Sequence, residues 1–181
     1  GVTPFMALLA AFQVLLHRHA GQDDLAVASP ISGRSRPELE GMAGFFVNTL
    51  VLRADLSGQP TFREFLARVK ATCLAAYASP DVPFERLVEE LHPARDPSRA
   101  PLAQAFFAHQ NGIGHRLTLP GAEVAHEWLF TPTSKWDLSL FTLDEPDGIR
   151  CWLEHSTDLW DEATGDRFAR RFQALVASLV R

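Results

Sequence analysis

No apolar run in this sequence approaches the roughly 18 consecutive residues that a membrane-spanning helix requires. The N-terminus has no basic segment leading into an apolar stretch and a cleavage pattern, so no signal peptide is read there. Positive charge is in deficit: 17 Lys and Arg stand against 22 Asp and Glu, a net charge of −5. The two signs are interspersed, which argues against a nucleic-acid partner, because that demands a basic face. Cysteine is scarce. Cys73 and Cys151 are far apart, and neither sits in a CxxC or metal-ligand spacing. Both are therefore expected to be reduced core residues of a cytoplasmic protein with no metal site. Internal repeats and low-complexity tracts are missing too.

What is present is the composition of a globular chain. Its 181 residues, 46% hydrophobic and 22% charged, suffice for one well-cored domain spanning 1–181 and not for two. Thr3 and Pro4 open a helix whose apolar face carries Phe5, Leu8, Leu9, Phe12, Leu15 and Leu16, and Gly21 stops it. Leu25 to Ser29 reads as a short strand, and Gly33 to Glu40 as a loop. The nearly continuous apolar run from Gly44 to Arg53 predicts a strand buried on both faces. Thr61 and Glu64 form a capping box for a helix ending near Pro80, and a shorter helix follows from about Pro83 to Leu91. The stretch from Leu102 to Leu143 reads as β-rich, with turns at Asn111–Gly114 and Pro120–Gly121. Alternation from Trp136 to Leu143, a turn at Pro146-Asp147-Gly148 and a return from Ile149 to His155 predict a hairpin. Asp161 caps a last helix with Phe168, Phe172, Leu175, Val176 and Leu179 on its core stripe. The pattern is α+β, with helices packed on one face of a mixed, largely antiparallel sheet. An opening directly on a helix is read as a chain cut from something longer.

Four segments carry a resemblance. Gly41-Met42-Ala43-Gly44-Phe45-Phe46-Val47-Asn48-Thr49-Leu50, with Arg53 behind it, is similar to a GxFVNT strand. Asp81-Val82-Pro83-Phe84-Glu85-Arg86-Leu87-Val88 is similar to HQDxPFExLV, with Ser79-Pro80 in place of His-Gln. Arg95-Asp96-Pro97-Ser98-Arg99-Ala100-Pro101-Leu102, ending at Gln104, resembles RDxSRxPLFQ. Lys135-Trp136-Asp137-Leu138-Ser139-Leu140 resembles KFDLxL. Ser29-Pro30-Ile31-Ser32-Gly33-Arg34 carries the same resemblance. These are motifs of the condensation domains of nonribosomal peptide synthetases, in the same order and over essentially the whole chain.

The resemblance implies a chloramphenicol acetyltransferase-like half, the C-terminal lobe of a two-lobe domain. The catalytic HHxxxDG motif belongs to the N-terminal lobe, and this chain has no His-His pair; His19 to Asp23 reads as HxxxD but lies at a helix end, with Asp24 where Gly belongs. No catalytic residue is therefore expected here, and the chain alone is expected to be inactive. The resemblance further implies that Gly44, Val47, Asn48 and Thr49 line a substrate tunnel. Asp81, Pro83, Phe84, Arg95, Asp96, Ser98, Arg99 and Gln104 would shape the lobe interface or brace the fold. Read from the residues themselves, Asn48 either faces the reacting groups or pins a neighbouring loop, since a buried amide must be hydrogen-bonded.

By the same resemblance the parent joins an acyl or peptidyl thioester to an aminoacyl amine. Both arrive on phosphopantetheine arms of carrier proteins, and no cofactor is bound directly. The implied partners are the N-terminal lobe, donor and acceptor peptidyl carrier proteins and adjacent synthetase domains. A different class stays open: a non-catalytic domain of the same fold that recruits a tailoring enzyme. A stand-alone acyltransferase fits less well. Separation from the other lobe is expected to leave an apolar patch near Gly44–Leu52 or on the β-rich segment.

Overall fold

Thr3 starts the fold as the sequence predicts. Its hydroxyl accepts a hydrogen bond from the Met6 amide at 3.3 Å, and Pro4 follows at the first helical position. The resulting helix, α1 (Pro4–Ala20), ends at Gly21, whose left-handed backbone sends its amide to the His17 carbonyl. The chain continues as β1 (Asp24–Ile31), the one-turn α2 (Pro37–Glu40), β2 (Asn48–Asp55), α3 (Phe62–Tyr77), α4 (Phe84–Leu91), β3 (Ala105–Gln110), β4 (Leu138–Glu145), β5 (Gly148–His155) and α5 (Glu162–Leu179). This computed structural model describes residues 1–94, 96–110, 119–122, 124, 129 and 131–179. Arg95, Trp128 and the turn expected at 111–114 lie outside the described residues.

The strands form one mixed sheet in the order β2-β1-β3-β4-β5. The outer pairs, β1 with β2 and β4 with β5, are antiparallel, and the inner pairs are parallel. The β1–β3 seam is short: only Val27 with Ala105 and Ala28 with Phe106 are in register. Strand alternation sends Val27, Leu52, Phe107 and Leu140 to one face, where they share the core with α1, α3 and α5. Helix α1 lies in the middle of that layer. The ring of its fully buried Phe12 meets Phe107 from the sheet at 6.1 Å, and Phe168 and Phe172 from α5 at 6.2 and 6.5 Å. Burial of each such side chain stabilises the fold by about 1.5–3 kcal/mol. Helix α3 adds Phe65, Val69 and Cys73, and its Thr61–Glu64 capping box forms in both directions. Asp161 caps α5 by accepting from the Thr164 amide at 2.6 Å.

The opposite face of the sheet carries a row of rings. Trp136 stacks on Phe106 at 5.5 Å, Phe106 meets Phe141 at 5.7 Å, and Phe141 stacks on Trp152 at 5.3 Å. This row comes from the alternation Phe106, Phe141, Trp152 on paired strands.

Several expectations need correction. The strand expected over 44–53 begins at Asn48, because Ile31, the partner of Asn48, is the last residue of β1 and nothing pairs with residues 44–47. Strand β2 is also a sheet edge covered by helices on one side, so only alternate residues from Leu50 to Ala54 are buried. Trp136 precedes its strand, which starts at Leu138. The segment 33–40 contains α2 as well as loop. Phe84, whose apolar side chain is expected in the core, is half-buried, with its ring edge-on to Trp136 at 6.5 Å.

Cys73 is fully buried and Cys151 is exposed on the outer strand β5, so only the first is a core cysteine. Burial pushes the Cys73 thiol up to about 11, while partial desolvation also raises that of Cys151. A maleimide should therefore modify Cys151 in the native chain and reach Cys73 only on unfolding. Stoichiometric labelling of Cys73 under native conditions would contradict this packing.

Candidate functional site

The end of β1 determines where the site forms. Two residues beyond Ile31, Gly33 turns the chain with φ 64°, and a Cβ there would stand 1.9 Å from the Phe46 carbonyl oxygen. Only glycine fits such an approach at a positive φ. Arg34 then reaches across the returning loop. Its guanidinium lies 4.4 Å from the centroid of the Phe46 ring and donates to the carbonyls of Leu39 and, at 3.5 Å, Gly44. Gly33 and Arg34 thereby hold residues 41–47 against the end of the sheet.

Asn48 follows at the first position of β2. Its side-chain amide donates to the carbonyls of Pro80 at 2.8 Å and Val82 at 2.7 Å. Its side-chain oxygen accepts from the Thr49 amide at 2.8 Å and from the Phe84 amide at 3.3 Å. Both donors and both acceptor positions are thus occupied by backbone. The contact to Phe84 has a local cause. Pro83 is the N-cap of α4 and supplies no side-chain hydrogen bond, so a free amide of the first turn takes its partner from a residue 36 positions earlier.

Between these two tied segments lies a cleft of about 430 Å³. Val47, Asn48 and Thr49 form one wall and Asp81, Pro83 and Phe84 the other, with Gly33 and Phe46 at the base of the loop. Two motifs separated in sequence therefore meet here. Gly44 adjoins the cleft through its carbonyl bond to Arg34 without lining it. Trp136, from the fourth motif, meets the Phe84 ring edge-on at 6.5 Å.

The third motif lies elsewhere. Asp96 accepts from the Ser98 hydroxyl at 2.6 Å and amide at 2.9 Å, contacts that hold its carboxyl below the usual range. Arg99 pairs with Asp96 at 3.6 Å, exposed to water, where such a pair contributes little. The Gln104 side chain donates to Ala100 O at 3.0 Å, and its carbonyl receives the Asp137 amide at 3.1 Å. These residues shape a turn and start the β3–β4 pairing, and none of them lines the cleft. Arg95 lies outside the described residues.

Gly33 and Arg34 are the site residues that sequence reasoning did not single out. The Ser-Gly-Arg run was visible, but the close approach of Phe46 was not.

Among the described residues lining the cleft, no nucleophile is paired with a base. Asp81 and Glu85 are the only acidic or basic side chains among those described residues. Among the described residues no group of three or more His, Cys, Asp or Glu could hold a metal ion. His17 and His19 sit at the end of α1, bonded to the Gln22 carbonyl at 2.9 Å and to the Leu15 carbonyl at 2.9 Å. The described arrangement can shape and position a bound group. No described helix is long and apolar enough to cross a membrane.

A family model described as the condensation domain matches residues 1–181. A linear gramicidin synthase polypeptide from Brevibacillus parabrevis is 48% identical over 182 residues, covering 99% of this chain and 4% of that protein. Among solved structures, a four-domain nonribosomal peptide synthetase bound to AMP and glycine superposes with a TM-score of 0.88 at 26% identity, over 99% of this chain and 15% of its own. The X-domain from teicoplanin biosynthesis superposes with a TM-score of 0.88 at 28% identity, over 99% of this chain and 42% of its own. The chain thus spans only a small part of the length of its curated relatives.

Proposed function

Because this chain belongs to the condensation-domain family of nonribosomal peptide synthetases, we propose that it is the C-terminal lobe of a domain forming peptide bonds between carrier-bound thioesters. The donor is an acyl or peptidyl thioester and the nucleophile an aminoacyl amine. Each is carried on the phosphopantetheine arm of a peptidyl carrier protein, so neither arm is a resident cofactor. The proton-handling histidine comes from the other lobe. This lobe supplies one wall of the passage, and adjacent synthetase domains deliver the carriers.

The observation that carries the reading is the cleft in which Val47-Asn48-Thr49 and Asp81–Phe84 meet. Amide formation from two tethered reactants depends largely on holding them in line, and a rigid wall serves that end. Asn48 acts here as a positioning residue: its amide fixes the Pro80–Phe84 wall.

A second reading draws on the X-domain likeness, which includes a solved complex of that X-domain with OxyB. In it the lobe belongs to a non-catalytic domain that recruits a tailoring enzyme. The 48% identity to a gramicidin synthase favours the condensing reading.

The test uses the complete two-lobe domain with carrier-bound donor and acceptor thioesters. Amide product is expected from the complete domain, and none from residues 1–181 alone. A complete domain that forms no amide yet retains an oxygenase on a column would overturn the condensing reading. Amide formation by the isolated chain would overturn the assignment as a single lobe.

A further inference from the structure

We propose that Phe45 is a preformed anchor that inserts into an apolar socket on the remaining part of the same domain. The inference rests on the reading of this chain as one lobe. Phe45 is 91% exposed, and Met42, Val47 and Val82 are 51%, 47% and 40% exposed. Single exposed apolar side chains are ordinary in soluble proteins, whereas a cluster marks a contact surface. Phe45, Val47 and Val82 form one rim beside the cleft. Phe45 and Val47 line the cleft, and the Val82 carbonyl is tied to Asn48 beside it.

The loop presenting Phe45 is held on both sides. The Gly44 carbonyl and the Phe46 ring are engaged by Arg34, and Asn48 is bonded to four backbone groups. A backbone tied on both sides of Phe45 has less freedom to lose on docking, which favours that position as an interface anchor. The anchor is thus built by the same contacts that build the cleft.

Two observations select the occupant. The chain covers 42% of the solved X-domain chain at a TM-score of 0.88, so more than half of that relative has no counterpart in these residues. That remaining portion is the natural neighbour of an anchored, uncovered ring. A second copy of this chain fits less well. A two-fold contact through the patch would bring Asp81 and Glu85, which border it, towards their own equivalents. The socket is therefore apolar at its centre, with basic or hydrogen-bond-donating groups on its rim.

The test places a thiol at the anchor. Phe45→Cys is introduced with Cys151→Ser in residues 1–181 and in the complete domain, whose other exposed cysteines are replaced. Maleimide labelling at position 45 should be fast in the short chain and roughly 100-fold slower in the complete domain, as for a site reached only by local opening. Equal rates in the two proteins would overturn the proposal. So would protection in the short chain at high concentration with dimer on sizing, which would assign the patch to a second copy. Phe45→Ser should lower the melting temperature of the complete domain and leave that of the short chain unchanged, and equal shifts would count against the anchor. Labelling protection in a complete domain that forms no amide would keep the anchor and reject the condensing activity, so the two readings fail separately.

Discussion

Asn48→Asp should destabilise this chain more than Asn48→Ala, although it alters a single atom of the side chain. The amide nitrogen of Asn48 lies 2.8 and 2.7 Å from two carbonyl oxygens. An aspartate would set a charged oxygen in that place, turning two hydrogen bonds into two repulsions. The alanine variant merely leaves the carbonyls of Pro80 and Val82 and the amide of Phe84 without their partner. Loss of that set should cost about 1–3 kcal/mol, or roughly 2–12 °C in melting temperature for a chain of this size. The aspartate variant should fall further at neutral pH. It should recover as the pH is lowered, because the protonated acid regains an O–H donor. The sign follows from linkage: the folded state prefers the protonated form, so its stability is greatest below the carboxyl pKa and declines above it. Melting curves of both variants from pH 4 to 8 read this directly, and equal, pH-independent losses would show that the two carbonyl bonds are unimportant.

In the complete domain the same pair addresses the role of Asn48. A positioning residue acts through the placement of Pro80–Phe84, so Asn48→Ala should slow amide formation alongside its loss of stability. Normal rates in a domain that merely melts earlier would make Asn48 a structural brace alone.

Gly33→Ala is the other large expected effect. The new methyl carbon would fall 1.9 Å from the Phe46 carbonyl oxygen, and the backbone at φ 64° disfavours any L side chain. The neighbour is backbone, so relief requires residues 44–47 to move away. Arg34 would then lose its ring contact and its bond to Gly44. The expected loss is about 2–4 kcal/mol, in the upper range for single substitutions. Faster amide hydrogen exchange over residues 42–48 should accompany it, with the α1 and β4 core unaffected. Gly58→Ala is the control. That glycine also has a positive φ of 79°, with nothing within 4 Å of its Cβ position. It should cost only the backbone strain, about 1 kcal/mol. Equal effects at the two glycines would mean that the contact with Phe46 is not what makes Gly33 necessary.

The helices were legible because their ends are written in local chemistry. Thr3-Pro4, Gly21, Thr61 with Glu64 and Asp161 each satisfy or close nearby backbone groups, and the structure places all of them as read. The start of β2 was not legible. Phe45-Phe46-Val47 has the same apolar texture as Leu50-Val51-Leu52, and what separates them is the end of the partner strand at Ile31, opposite Asn48. Half-burial of Phe84 was hidden for a related reason, since α4 buries none of its residues fully and that depends on where the helix sits in the fold. The motif residues themselves could be named from the sequence. That Asn48 binds Pro80 and Val82 could not be foreseen, because its partners are carbonyls that every residue type possesses.

The brief seam between β1 and β3 has a bearing on how the chain assembles. Each flanking pair, β1–β2 and β4–β5, aligns eight residues, and the β4–β5 hairpin closes through a tight turn. The seam aligns two, between strands separated by more than seventy positions. Closing so long a loop is entropically expensive and returns few ladder bonds. The two halves of the sheet are bridged by α1, whose Phe12 touches Phe107 on one side of the seam while the helix also packs on β1, α3 and α5. The opening helix is thus a clasp for two halves of one sheet, and substitutions in its core face, such as Phe12→Ala, are expected to slow folding more than those in the β4–β5 turn.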